Sequence, residues 1–509
     1  MNTFQVILFT DLTSPVYHNK PLGAYTLATT LRQHGYSTLV IDHFSRYLRN
    51  PKMLVEILSQ AIDNNTIMVA FSSTYFTLNL PEDQPIDNWH AFHDGQSDIW
   101  CGNENKVAVI EQFVRRKAPN AKLVYGGMLA DNSELFKTKI KLDYVVKGYA
   151  DVSMVALANH IKHGTPMNVR QQNNLNIVDT DTLAATFNFS QHLTCYEPCD
   201  IVLPGETLAL ETSRGCMYNC SFCNFPLRGR KRDSMDYHIN NELLYRHFVD
   251  NYEKYGITNY QIVDDTFNET TEKLINFRNV VRRTGLPLQF MSFARLDLIG
   301  KHPEQLDILL EAGFRSLWFG LESLNDDSSR SISKMYTSSF AQKTLERMRP
   351  VVGNDFRIYA SFIFGLPQDS EKTIEKWMSW VTNDSPIDCI QTCALAINPT
   401  STPWPADISV NAEQYGYTLH NNNGHVSWHN KIWTHKEAAT LADQYQNKIW
   451  ETSRNRLAAF DLFGIMGHGY SFDSIKNIPI DKLPFDDIVA AGIVKFYQYH
   501  TALVNHLEC

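Results

Sequence analysis

A chain of 509 residues exceeds what one hydrophobic core organises and has room for two or three domains. Its 43% hydrophobic and 20% charged residues exclude a disordered chain, and no apolar run nears the ~20 residues of a membrane span. A net charge of −9 argues against a broad nucleic-acid footprint; nine cysteines behind an N-terminus without a basic, apolar leader point to metal or redox use in a reducing, cytoplasmic setting.

Residues 1–164 alternate short apolar strands, at 4–9, 38–41, 67–71, 122–125 and 144–146, with helical patterns at 25–33, 53–62, 107–116 and 152–161. Fully apolar strands alternating with helices predict an α/β, doubly wound domain whose parallel sheet is covered on both faces. Such sheets take ligands at the carboxyl ends of their strands, which makes residues 10–23, 72–75, 126–127 and 148–151 the candidate ligand loops. Residues 77–104 form a polar insertion with Trp89, His90, His93 and Trp100, read either as a lid or as a surface excursion. Residues 165–206 lack sustained periodicity and read as a linker, in which Cys195 and Cys199 are ordinary buried thiols.

A buried strand at 207–211 then opens into Arg214-Gly215-Cys216-Met-Tyr-Asn-Cys220-Ser-Phe222-Cys223. A structural zinc site would want a fourth ligand from a second pair. Three thiolates on one tight loop suit a cubane iron–sulfur cluster with one iron left open. Downstream, strand and helix patterns alternate to give six units over 207–402, which predicts a partial TIM-like (β/α)6 barrel. The strand ends carry Asp264-Asp265, Arg295, Glu322 and Gly365-Leu366-Pro367, where barrels of this kind keep their working residues. The basic run Arg228-Gly-Arg-Lys-Arg232 reads as a solvated face. Residues 403–509 read as a mainly helical extension, with Trp404, Tyr415, Trp428, His429, Trp433 and His435 clustered ahead of helices at 439–458 and 488–506.

The Cys216-x-x-x-Cys220-x-Phe222-Cys223 spacing resembles the signature of the radical S-adenosylmethionine (SAM) superfamily. The resemblance implies a 4Fe–4S cluster held by Cys216, Cys220 and Cys223, with SAM on the open iron and a deoxyadenosyl radical released on one-electron reduction. It places Phe222 against the adenine, Asp264 and Asp265 near the SAM amino group, Arg295 and Glu322 at the ribose or carboxylate, and Gly365 in a turn near the adenine. The N-terminal half resembles the cobalamin-binding domain of one large subfamily, through Pro21-Leu22-Gly23, Ser72-Ser73-Thr74 and Gly126-Gly127. Gly148-Tyr149-Ala150-Asp151 stands where that subfamily often has Gly-Glu-Gly-Glu. Cobalamin contacts are thereby implied at Ser72, Ser73, Gly126, Gly127 and Gly148. One departure stands out: the Asp-x-His-x-x-Gly motif that ligates cobalt from below is absent, and His18 in the corresponding loop reads as a solvated residue. Many members of the subfamily also lack that histidine.

The resulting expectation is a cobalamin-dependent radical SAM methyltransferase acting on an unactivated carbon of a small-molecule or peptide substrate. An external one-electron reductant of the flavodoxin or ferredoxin type would serve it, with no membrane or nucleic-acid partner. Radical cyclisation, oxidation or rearrangement is one alternative, and a non-catalytic iron–sulfur or electron-transfer protein another.

Overall fold

The computed structural model describes residues 4–11, 19–74, 105–127, 130, 140–172, 174–180, 188–224, 237–334, 336–398, 400, 405–422, 425–450, 459–479 and 482–508. His18, the insertion at 77–104, the basic run at 228–232 and Trp404 lie outside them.

The strands of the first half are β1 (Val6–Phe9), β2 (Asn19–Lys20), β3 (Thr38–Ile41), β4 (Met68–Ser72), β5 (Lys122–Gly127), β6 (Tyr144–Lys147), β7 (Arg170–Gln172) and β8 (Leu175–Asp179). All but β2 form one sheet of order β3-β1-β4-β5-β6-β8-β7, parallel except for β7. Side chains alternate faces along a strand. Val6, Leu8, Val40 and Val124 therefore pack with Tyr25, Leu31 and Leu157 of helices Leu22–Gln33 and Asp151–His163. Ile7, Phe9, Leu39 and Val69 pack on the other face with Leu54, Ile57 and Val114 of helices Pro51–Ala61 and Asn105–Lys117. The doubly wound expectation holds. Residues 170–179, expected as linker, instead complete the sheet, with β8 running parallel to β6. β7 carries polar residues because it lies at the sheet's edge, where one row of backbone groups needs no apolar cover, while β8 behind it buries Ile177 and Val178.

The second sheet contains β9 (Thr207–Leu210), β10 (Asn259–Ile262), β11 (Gln289–Ala294), β12 (Phe314–Glu322), β13 (Arg357–Phe364) and β14 (Cys389–Ala394). These six are parallel neighbours in chain order, and β2 from the first half adds a seventh strand beside β9. Their outer face lies under helices such as Asn241–Tyr255 and Thr271–Thr284, where Phe248 meets Tyr260 and Phe277 meets Phe290 edge to face, with Phe314 tilted against Phe290. The chain continues into an antiparallel hairpin, β15 (Thr418–Asn422) and β16 (His425–His429), and then helices. The last helix, Phe485–Glu508, sets Phe496, Tyr499 and Leu503 into the core of the first sheet. That part of the C-terminal segment thus covers the first domain rather than the barrel. Among the described residues, no helix is long and apolar enough to cross a membrane.

Candidate active site

The cluster loop leaves the carboxyl end of β9 and turns at Gly215, whose φ of +82° suits a residue without a side chain. Its departure is fixed by Asp264 at the end of β10. The Asp264 carboxylate is fully buried and accepts from the Thr212 backbone N–H at 2.6 Å, the Ser213 hydroxyl at 2.9 Å and the Thr212 hydroxyl. Lys273 lies 2.9 Å away and pairs also with Glu269 at 3.1 Å. A carboxylate with this many donors anchors the loop and has little left for a ligand. Lys273 has no motif to announce it; its helix and β10 bring it in.

Cys216 is buried, with its sulfur 3.3 Å from the Thr266 hydroxyl and accepting from the Tyr218 N–H at 3.5 Å. Burial pushes its thiol pKa up, against the two hydrogen bonds. Cys220 accepts from Arg295 Nη1 at 3.6 Å, and the Cys223 N–H donates to the Cys220 carbonyl at 3.0 Å. Arg295 is also bonded to Asp297 at 2.9 Å and lies over the Tyr218 ring at 3.8 Å. It sits behind a cluster-loop thiol, where a cation offsets thiolate charge. Among the described residues, no three His, Cys, Asp or Glu side chains converge on one metal-ion position. A cubane asks for a different arrangement, one thiolate per iron at separate corners. The three-cysteine loop with its donors and adjoining cation fits that demand.

Glu322 ends β12 in a left-handed conformation, φ 67°, beside a register shift against β13. Its carboxylate is buried and 3.3 Å from Lys334, which also donates to the Gly320 carbonyl at 2.8 Å and stands 6.0 Å from the Phe222 ring centroid. Burial raises the Glu322 pKa while Lys334 opposes it. Lys334 was not foreseen, because Ser331-Ile-Ser-Lys334 looks like a solvated turn. Gly365 has φ +84°, and a Cβ there would fall 2.4 Å from the Trp428 ring. The Gly365 carbonyl accepts from Tyr417, and Trp428 donates to the Leu395 carbonyl at 2.8 Å. The turn near Gly365 is thus clamped by the hairpin, and Trp428 is core.

The carboxyl ends of the two sheets meet at Arg214. Its Nη1 donates to Asp151 at 2.6 Å, while Nε and Nη2 form a fork on Glu211 at 2.9 and 2.8 Å. The guanidinium lies over the rings of Tyr149 at 4.5 Å and Phe189 at 5.0 Å. Arg214 and Asp151 are both nearly inaccessible, so the pair is a dry contact between the 148–151 loop and the cluster loop. Asp265 adjoins this group. Burial pushes its carboxyl up to about 7, reinforced by Glu211 and Asp264 against Arg214 and Lys273. No side-chain hydrogen bond holds it among the described residues.

At the carboxyl edge of the first sheet, the Ser73 N–H donates to the Gly126 carbonyl at 2.8 Å and the Gly148 N–H to the Gly127 carbonyl at 3.2 Å. A Cβ on Gly126 would come 2.6 Å from the Val146 carbonyl and one on Gly127 2.8 Å from the Ser73 hydroxyl. Ser73, Gly126, Gly127 and Gly148 therefore converge, with Ser72 beside them at the end of β4. Nearby, Thr10 and Ser153 keep buried hydroxyls without partners among the described residues. An edge of small residues with uncommitted hydroxyls fits a broad planar macrocycle.

Residues 210–381 match the Radical SAM superfamily. The chain is 26% identical over 167 residues to an uncharacterised methyltransferase of Pyrococcus horikoshii, covering 32% of this chain and 34% of that protein. It is 28% identical over 180 residues to the hopanoid C-2 methylase of Rhodopseudomonas palustris, covering 34% and 32%. The matches thus span about a third of each curated relative. In fold it is similar to the radical S-adenosylmethionine methyltransferase TsrM of Kitasatospora setae, solved with cobalamin and a 4Fe–4S cluster bound. That likeness has a TM-score of 0.61 at 16% identity, over 97% of this chain and 100% of that one. The cobalamin-dependent radical enzyme OxsB, solved with aqua-cobalamin, gives a TM-score of 0.58 at 14% identity, over 98% and 72%.

Proposed function

We propose that this chain, which carries a radical SAM domain over residues 210–381 behind a doubly wound domain, is a cobalamin-dependent radical SAM methyltransferase acting on an unactivated carbon. The observation that carries this reading is the Asp151–Arg214–Glu211 contact, which brings the carboxyl edges of the two sheets together. Chemistry shared between two cofactors needs both edges at one place.

When bound, the cluster with SAM supplies a carbon radical that removes a hydrogen atom, and the corrinoid supplies the methyl group. The protein's part is to hold and orient. Cys216, Cys220 and Cys223 are the thiolates for the cluster, and Arg295 offsets charge at Cys220. Asp265 is the open carboxylate for the SAM ammonium. Phe222, backed by the Lys334–Glu322 pair, offers its ring to the adenine. Ser72, Ser73, Gly126, Gly127 and Gly148 receive the corrinoid edge. The substrate is a small molecule or peptide, and the electron comes from a flavodoxin- or ferredoxin-type donor.

Protein purified without oxygen from cobalamin-fed cells should hold about four irons and one corrinoid per chain. With SAM and a reductant, the product should gain ~14 Da as S-adenosylhomocysteine and deoxyadenosine form. Four irons without corrinoid, even after reconstitution, would overturn the methyl-transfer reading.

A further inference from the structure

Inside the second sheet the usual gradient of burial is inverted. Leu317, Phe319, Ala360 and Phe362 are wholly inaccessible under the outer helices, Phe362 stacking on Trp377 at 5.0 Å. The alternate residues Phe293, Trp318, Ser361, Ile363 and Gln391, which face inward, stay partly exposed. A filled barrel would bury that inner set most deeply. The carboxyl half of the lumen is therefore open, and its far end has a floor. Helix Ala459–Met466 sets the buried Phe463 against the inward-facing Met291, and the Phe463 carbonyl accepts from the Thr207 hydroxyl at 2.7 Å.

The lining has a definite chemistry. Strand register aligns Phe293 with Trp318 and Trp318 with Tyr359. Their rings form a ladder, with centroids 4.7 Å apart at 38° and then 4.0 Å apart at 30°. The Tyr359 hydroxyl donates to Gln391 Oε1 at 2.7 Å, and the Gln391 amide nitrogen has no partner among the described residues. The charged groups at the rim, Arg295 and Glu322, are already paired with Asp297 and Lys334. The upper end of the ladder lies two residues before Arg295, which touches Cys220.

We propose that this lumen is the substrate site of the activity proposed above, and that it selects a neutral, flat aromatic ring system bearing one hydrogen-bonding group. The ring stacks on the face of Phe293 that Trp318 leaves open and runs along the exposed edge of Trp318, and its polar group accepts from the Gln391 amide. An anionic group entering the lumen would find the rim cations Arg295 and Lys334 already paired and is rejected by desolvation. A saturated ring fills the same space without the face-on contact. This inference rests on the proposed function for its chemistry and on the lining side chains for its specificity.

The test is equilibrium binding to the cluster-loaded protein in the absence of SAM and corrinoid, with naphthol as the probe and decalol and naphthoate as its saturated and charged counterparts. Naphthol should bind saturably, one per chain, about tenfold tighter than either counterpart. Phe293→Ala should weaken it about tenfold, the scale of one lost stacking partner. Ser361→Trp, which fills the lumen, should abolish binding while the iron content stays that of the wild type. Gln391→Leu should bring naphthol down to the affinity of naphthalene. No saturable naphthol binding, equal affinity for decalol, or binding untouched by Ser361→Trp would each overturn the assignment. Failure of the methyltransferase reading shows separately, as saturable naphthol binding in a protein that takes up no corrinoid.

Discussion

Asp264 and Asp265 are chemically identical neighbours with opposite fates. Asp264 is consumed by Thr212, Ser213 and Lys273, whereas Asp265 is left among carboxylates with its pKa raised to about 7. The folded value lies above the usual carboxylate value, so the folded apoprotein holds a proton that the unfolded chain releases. Stability from this group therefore falls as pH rises from about 4 to about 7. An ammonium ligand pairs only with the ionised form. SAM affinity should strengthen as pH climbs towards 7, by up to about tenfold per unit, and fall again above pH ~8 as the ligand's α-amino group loses its own proton. Asp265→Asn should flatten that profile and weaken binding above pH ~7; dialysis of labelled SAM across the range would show it, and a flat wild-type profile would sink the assignment. The Asp-Asp pair itself was legible in the sequence. Which member anchors the loop was not, because the decision rests on Ser213, distant in sequence, and on a lysine one helical turn into the next element.

At the scale of elements, what was legible followed locality. Each strand-and-helix unit of the second sheet is a local pattern, and all six were readable. Residues 170–172 and 19–20 escaped because edge strands carry polar residues and because a two-residue strand has no periodicity at all, and the five-residue β8 is too short and too broken by Asn176 to stand out beside them. Arg214 escaped for a related reason, since its partner Asp151 lies 63 residues away on another domain. That ion pair joins two loops, and breaking it should separate their functions. Asp151→Asn removes the charge partner but leaves the Glu211 fork. Iron content and SAM cleavage should persist, while the yield of methylated product per deoxyadenosine falls about tenfold, the scale of losing one orienting contact. Equal loss of cleavage and methylation would mean that the pair serves only the cluster loop. The hairpin makes a second case. Gly365→Ala combines a left-handed φ with a 2.4 Å clash against Trp428, and should cost on the order of 2–4 kcal/mol in chemical denaturation.

For the whole molecule, the question is what makes two sheets one body. One hydrophobic cluster runs from Val6 and Leu8 of the first sheet through Tyr25 to Leu208 of the second and Phe248 of the helix that covers it. A buried polar knot lies across the same junction. Lys20, on the edge strand β2 of the second sheet, is 3.2 Å from Asp42 at the end of β3 and 3.2 Å from the Tyr25 hydroxyl, which donates to Asp42 at 2.6 Å. Burial alone would raise the Asp42 pKa, but Lys20 and His43 outweigh it and hold the carboxyl below its usual range. Tyr499 of the last helix packs 4.7 Å from the His43 ring, so the C-terminus closes over the knot. Lys20→Ala would strand a buried carboxylate, at a cost of about 3–5 kcal/mol. Lys20→Met with Asp42→Leu removes both charges and should recover most of that loss. If the knot is what couples the sheets, thermal unfolding of the wild type is one coincident transition by every probe, and Lys20→Ala splits it. The barrel tryptophans would then report a later transition than loss of the first sheet. A single shifted transition in Lys20→Ala would instead mean that the shared hydrophobic cluster suffices to keep the halves cooperative.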